Sequence, residues 1–423
     1  MGSRYAVRTL VLQSGERLPI LLDSDTGSPL FEPTVYALTE LRARNRAAAT
    51  IEQALRAVLV LYRFADSHGI DLTARLAEGR LLKLGEIDEL ARQCRLPLNA
   101  SGDSDPSVAA SVLRLPSADS VWMRSGAAPM ELDASSTALR LRYIRDYVRW
   151  LATDRLQHIE RGNPAHAALH AESELVVRLL GHRIPSTAPR DFVGERQGLS
   201  PDARARLNEV VGASSAENPW KGAHARERNA LIVHWLRSLG LRRGELLGIR
   251  IPDINFQANE VRITRHADNP DDPRIRQPNT KTYGRLVPLD DELSQLTRQY
   301  ILGTRRSIAG SRKHDYLFVA NGSGAPLTLG AIDHIFTALR QKCPDLPSDL
   351  SAHVLRHTWN DRFSELMDEN DVPEEIEHKM RSRLMGWSET SKTASTYTRR
   401  HVHKRAREAA LQLQRSIAKD KPK

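Results

Sequence analysis

Residues 183–198 read RIPSTAPRDFVGERQG, with Pro185, Pro189, Gly194 and Gly198 in one short stretch. Proline removes a backbone donor and glycine loses the most backbone freedom on ordering, so neither a helix interior nor a central strand suits this segment. Ser200-Pro201 follows, a hydroxyl cap with proline at the first helical position, which reads as the start of a new helix. The break predicts a linker over 183–199 and a domain boundary there. The 423 residues suffice for two or three domains of ordinary size.

Upstream of the break the periodicity is helical. Residues 1–33 form a short β-like N-terminal segment, with two strands expected within 5–22 around the Ser14-Gly15 turn. Residues 34–182 read as a helical domain. Thr50 and Gln53 make a capping-box pattern, Ile51, Leu55, Val58, Tyr62 and Ala65 share one face, and Gly69 is a stop. A second helix is expected over 137–152, with Leu141, Ile144, Val148 and Leu151 as its apolar stripe. Arg142, Arg145 and Arg149 repeat at helical spacing on another face. They read equally well as a solvated basic face or as a surface for a phosphate backbone. Between the two helices, NASGDSDPSVAASVLRLPSADS (99–120) has the composition of a loop insertion.

Downstream the pattern is mixed. Helices are expected at 201–211, 222–239, near 243–249, at 291–303 after an Asp290 cap, and at 329–342 after a Thr328 cap. EVRIT (260–264) and RLVPL (285–289) read as strands, and YLFVA (316–320) is a short apolar run. The fold class is therefore α+β: mostly helical, with an N-terminal helical domain and a C-terminal helical domain carrying a small antiparallel sheet.

The positive charge is unevenly placed. Residues 381–423 hold twelve Lys or Arg against three Asp or Glu, so nine of the chain's ten net positive charges lie there. A concentrated basic surplus points to a polyanionic partner, most simply nucleic acid. No apolar run reaches the length of a membrane span, and 1–22 lacks the continuous apolar core of a signal peptide. Two distant cysteines, Cys94 and Cys343, do not make a disulfide framework, so a reducing cytoplasm is the expected setting. There is no G-x-x-x-x-G-K-[ST] phosphate loop and no H-E-x-x-H metal motif, and no cofactor is expected.

Four stretches in the second half carry chemistry. LGLRRGELLGIR (239–250) sets Arg242 three residues before Glu245, close enough to pair on a helix. NTKTYGRLVPL (279–289) puts Lys281 in a glycine-containing turn before a strand. LSAHVLRHTWNDRF (350–363), if helical, sets His353 and Arg356 on one face, with His357 on the next turn. GWSETSKTASTYTRR (386–400) contains Trp387, seven small hydroxyls and one phenol, Tyr397. Each is unremarkable alone; together they form an ordered set after a single linker.

On GLRRGELL, TKTYGRLVPL, HVLRHT, and LMGW followed by Tyr397, the stretch 200–412 resembles the catalytic domain of the tyrosine recombinases, the phage-integrase-type family. The helical region 34–182 is similar in position and character to that family's core-binding domain, which leaves 413–423 as a basic C-terminal tail. The resemblance implies a nucleophilic tyrosine, Tyr397, and two phosphate-binding arginines, Arg242 and Arg356. It also implies Lys281 as general acid and His353 as base or orienting partner. Trp387 occupies the position where the family usually has His and sometimes Trp. Glu245 and His357 are supporting residues. Arginine suits the phosphate role because its planar fork stays charged and donates two parallel bonds. Tyr397 lies ten residues after Trp387 where nine is usual, and the span 264–281 is longer than the family's common hairpin connection.

The implied function is site-specific DNA recombination through a 3′-phosphotyrosyl intermediate, in integration, excision or transposition of a mobile element. Two alternatives stand beside it: a type IB topoisomerase-like enzyme, and a catalytically inactive recombinase-derived DNA-binding protein. The expected partners are double-stranded DNA, further copies of the chain in a tetramer on paired sites, and accessory DNA-bending or recombination proteins. No membrane is expected. In the tail, Ala406, Ala410, Leu413 and Ile417 could form an apolar stripe, either for a neighbouring subunit or for the chain's own domain.

Overall fold

A computed structural model describes residues 4–98, 131–187, 198–280, 282–388, 406 and 409–416. The contacts divide the chain into two units, Met1–Phe192 and Val193–Lys423. The expected insertion at 99–120 and most of the linker fall outside the described residues.

The first unit opens on a hairpin of β1 (Tyr5–Val11) and β2 (Arg17–Asp23), antiparallel, with Tyr5 opposite Asp23 and Val11 opposite Arg17. Gly15 takes φ 86 in the turn, a conformation that L side chains resist. Helices α1 (Phe31–Tyr36), α2 (Ala48–Ser67), α3 (Leu72–Ala77), α4 (Leu84–Gln93), α5 (Ala134–Gln157) and α6 (Pro164–His182) follow. The Thr50 cap is not formed. Helix α2 begins earlier, with Ala47 at the N-cap, and the Thr50 N–H already bonds the Ala47 carbonyl at 2.8 Å. Helix α5 outruns its expected span at both ends, and at its N-terminus Asp133 caps it, accepting from the Ser136 N–H at 2.8 Å. The stripe Leu141, Ile144, Val148 and Leu151 is buried against Ile51, Leu55 and Val58 of α2. At one edge of this core the Tyr62 and Tyr147 hydroxyls meet at 2.9 Å.

The second unit contains α7 (Pro201–Val211), α8 (Ala223–Leu239), α9 (Arg243–Gly248), β3 (Ile254–Asn255), β4 (Glu260–Ile263), β5 (Arg285–Pro288), α10 (Asp291–Tyr300), α11 (Leu329–Lys342), α12 (Ala352–Glu369) and α13 (Glu374–Met385). Ser200, Asp290, Thr328 and Ser351 cap α7, α10, α11 and α12. The expected helix over 291–303 widens into a π turn at Ile301–Arg305, where Gly303 leaves helical geometry (φ −94, ψ −110). Strands β3, β4 and β5 pair antiparallel in that order, with Ile263 opposite Arg285. Alternation along β5 sends Arg285 and Val287 inward and Leu286 and Pro288 outward. The core gathers Trp235 and Leu236 of α8, Leu246 of α9, Val261 and Ile263 of β4, Phe336 of α11 and Leu355 of α12. No helix among the described residues is long and apolar enough to cross a membrane.

Candidate active site

The site is built around one carboxylate. Arg242 is the N-cap residue of α9, and Glu245, three residues on, accepts from the Arg242 backbone N–H at 3.0 Å. An arginine side chain has no acceptor to offer in return, so only this half of a capping box forms. The Glu245 side chain is fully buried. It accepts from Arg242 Nη1 at 3.3 Å, Thr282 Oγ1 at 2.8 Å and Arg285 Nη2 at 3.0 Å, and Arg356 Nη1 lies 3.8 Å away. Burial pushes the Glu245 pKa up. The Arg285 charge and hydrogen bond, then the Arg356 charge and the Arg242 N–H, outweigh burial and hold the carboxyl below its ordinary range.

Arg356 comes from the second turn of α12 and is almost wholly buried. Its Nη1 donates to the Gly240 carbonyl at 2.6 Å, where α8 ends and its last carbonyls need partners. Gly240 takes φ 60, and a Cβ there would lie 2.9 Å from Trp359 Cγ and 3.1 Å from Met385 Cε. Trp359 Nε1 donates to the Ser238 carbonyl at 2.9 Å, so a second α12 side chain ties the same helix end. The Trp387 ring lies under the Arg356 guanidinium, 5.3 Å from centroid to Cζ, and packs with Met385 and Trp359. His353 is exposed one turn before Arg356, and its ring meets that of His357 edge-on at 4.3 Å.

Arg242, Glu245, Arg356 and Trp387 thus converge on one cluster, and His353 and His357 share the helix that supplies Arg356. Lys281 and Tyr397 lie outside the described residues. The neighbours of Lys281 are nonetheless positioned. Thr280 is buried, Thr282 bonds Glu245, and the Asn279 carbonyl approaches Gly244 so closely that a Cβ there would lie 2.8 Å from it. The long connection before Lys281 is also anchored. Asp272 and Arg274 form a buried pair at 2.9 Å, Arg274 Nη1 donates to the Leu247 and Leu327 carbonyls, and its guanidinium sits 4.3 Å over the Tyr316 ring. The extra length is folded onto the domain.

Sequence reasoning missed Arg285. Its Nε donates to the Leu384 carbonyl at 2.6 Å, Nη1 to Thr282 Oγ1 at 3.1 Å and Nη2 to Glu245 at 3.0 Å. The signal was present in RLVPL: strand alternation puts Arg285 on the same face as Val287, and a charge on a buried face requires a partner. Gly386 was also missed. It ends α13 at φ 66, its carbonyl accepts from the Tyr283 N–H at 2.9 Å, and a Cβ there would lie 2.9 Å from Arg285 Nη1.

Of the helix-face arginines in the first unit, Arg142 and Arg149 are exposed and Arg145 is half-buried against Asp146 at 2.9 Å. Arg145 and Arg149 line a groove of about 640 Å³ together with Arg44, Arg46, Tyr143 and Trp150. In the tail, residues 409–416 are helical and exposed, Leu413 at 61%.

Residues 213–404 match the phage integrase family. Among curated proteins, the chain is similar to the tyrosine recombinase XerD of Halalkalibacterium halodurans, 23% identical over 49% of this chain and 65% of that one, slightly under two thirds of the relative's length. It is also similar to the tyrosine recombinase XerD of Ralstonia nicotianae, 24% identical over 57% of this chain and 77% of that one. Among solved structures, XerH site-specific recombinase bound to palindromic difH substrate aligns at 15% identity and a TM-score of 0.45, covering 84% of this chain and 77% of that one. The similarity to the phage integrase family runs through residues 213–404, slightly under half of the chain.

Proposed function

We propose that the chain is a site-specific DNA recombinase that breaks and rejoins DNA through a 3′-phosphotyrosyl intermediate, in integration, excision or transposition of a mobile element. One observation carries this reading. Arg242 and Arg356, from elements far apart in sequence, are brought to one buried carboxylate, with Arg242 Nη1 3.3 Å and Arg356 Nη1 3.8 Å from it, and the Gly240 carbonyl holds Arg356 in place. Such fixed, charged donors suit a pentacoordinate phosphorus, because they need no reorganisation as charge builds on the non-bridging oxygens. Arg242 is the outer member: its side chain is 31% exposed, and its one guanidinium partner among the described residues is Glu245.

In the proposed reaction the Tyr397 oxygen attacks the phosphorus and the 5′ oxygen leaves. His353 takes the phenol proton and Lys281 gives a proton to the leaving oxygen. Phosphate is transferred, not hydrolysed, so a 5′ hydroxyl from another strand reseals the backbone by the reverse step. Trp387, set against Arg356, holds that guanidinium in place and presents an indole N–H donor near the phosphate. Arg142, Arg145 and Arg149 contact the DNA backbone from the first unit. The exposed helix at 409–416 docks on a neighbouring copy in a tetramer on paired sites, with accessory DNA-bending or recombination proteins as further partners.

The test uses nicked duplexes from DNA flanking the gene, with covalent adducts read on a denaturing gel. The full chain is expected to form an adduct that Arg242→Ala slows and Tyr397→Phe abolishes. An adduct that persists in Tyr397→Phe overturns the mechanism. Gel shifts without any adduct would favour an inactive DNA-binding protein, and relaxation of supercoiled plasmid without strand exchange would favour a topoisomerase.

A further inference from the structure

The arginine that opens β5 does more than satisfy a strand position. Its guanidinium is the point where three pieces of the site meet: the Glu245 carboxylate at 3.0 Å, the Thr282 hydroxyl at 3.1 Å beside Lys281, and the Leu384 carbonyl at 2.6 Å, three residues before Trp387. It is 9% exposed, and its side chain 5%, so these bonds form out of water, where a fixed geometry costs much to break. Gly386 reinforces the junction, since its carbonyl holds the Tyr283 backbone and its missing Cβ leaves room for Arg285 Nη1.

We propose that Arg285 is a positioning residue for strand cleavage, acting through Glu245 on Arg242 and Arg356. This inference rests on the recombinase reading above. Glu245 offers two oxygens. Oε1 takes Arg242 and Thr282, while Oε2 takes the Arg242 N–H and Arg285 and faces Arg356. Without Arg285 the carboxylate loses its closest guanidinium partner and turns toward the remaining two. Both phosphate-binding forks then shift away from the places where the transition state needs them. A misplacement of an ångström is enough to matter for a reaction that depends on alignment. Arg285 itself touches neither DNA nor the reacting atoms.

The experiment measures single-turnover adduct formation on a nicked duplex and DNA binding by gel shift, for the full chain carrying Arg285→Gln, Arg285→Lys, Glu245→Gln and Arg285→Gln with Glu245→Gln. Arg285→Gln is expected to slow adduct formation about 100-fold, the scale of losing one fixed electrostatic donor, while DNA affinity changes less than about threefold. Because the two residues act as a unit, Arg285→Gln in the Glu245→Gln background should cost no more than about threefold further. Arg285→Lys keeps the charge and one bond to Glu245 and should recover about tenfold over Arg285→Gln. Wild-type rate in Arg285→Gln overturns the proposal, and so does full additivity of the two changes. Equal loss of binding and rate, with no recovery in Arg285→Lys, also overturns it, because that is the signature of a residue that only holds the fold. Should Arg285→Gln fail to fold, Arg285→Lys against wild type decides, with a rate deficit at unchanged binding expected. If wild type itself forms no adduct, the recombinase reading falls. The link between Arg285 and Glu245 is then tested separately by whether their effects on the urea midpoint of unfolding are additive.

Discussion

The two units of this chain bury different things. In the first, the interior is apolar and aromatic: Tyr36 and Tyr147 meet edge-on at 5.2 Å, Tyr147 and Trp150 stack at 5.9 Å, and Arg17 is the one buried arginine among the described residues. In the second, Arg228, Arg274, Arg285, Arg305, Arg356 and Arg381 are all buried. Most of them spend donors on backbone carbonyls. Arg305 bonds those of Ser311, Tyr316 and Leu317, Arg228 that of Val319, and Arg274 those of Leu247 and Leu327. Burying a charge is costly and rarely the best way to stabilise a fold. Its concentration in one unit marks where geometry matters more than stability. The first unit is held by packing, which tolerates small adjustments. The second is tied by directional bonds, and those of Arg285, with the nearby Arg356, gather around Glu245.

That contrast is open to attack at several points. The largest expected effect is Glu245→Ala, which leaves three arginines around an empty site. Breaking a buried ion pair from one side costs about 3–5 kcal/mol, and thermal or urea unfolding of the second unit should register it. The effect has a pH signature. A carboxyl held below its ordinary value of 4.5 contributes stability that is fully present above that pH and is lost as pH falls through the depressed folded value. The gap between wild type and Glu245→Gln should therefore narrow when unfolding is measured at progressively more acid pH below 4.5; a constant gap would mean Glu245 is not held as described. Next comes Arg242→Ala. Its side chain is partly exposed, so stability should change by less than about 1 kcal/mol, while adduct formation falls by about 10²–10³.

In the first unit the effects should be smaller and of another kind. Tyr147→Phe removes a hydroxyl pair but keeps the ring, at about 1 kcal/mol, with the adduct rate on bound DNA unchanged. A loss of rate at full binding would erase the distinction between the units. Smallest is Arg149→Gln, which should weaken DNA binding without regard to sequence and reduce the salt slope by about 1.

The sequence made the apolar stripes and the end signals easy to read. Ser200, Asp290 and Thr328 cap where their patterns suggest, and the α5 stripe is buried. Thr50 misled because a capping box is a local preference, and α2 already starts at Ala48, where propagation adds one backbone bond per residue fixed. In the site, Arg242, Glu245 and Arg356 were legible as spacings on single elements. The partners of Arg285 were not, because its three bonds reach residues 3, 40 and 99 positions away. A window along the chain sees a strand with a charge at its start; only the folded sheet reveals what that charge faces. Gly240 and Gly386 were hidden for the same reason, since their missing side chains matter only against Trp359 and Arg285.

If the second unit orients phosphate for attack by a tyrosine, the cleaved strand ends on Tyr397. The most direct measurement is to trap the protein on a nicked duplex, digest it with trypsin, and identify the peptide that carries the nucleotide. The prediction is a single modified peptide, TASTYTR (393–399), linked through Tyr397. Linkage through one of the seven neighbouring serine or threonine hydroxyls between 386 and 400, or through any other residue, would contradict it.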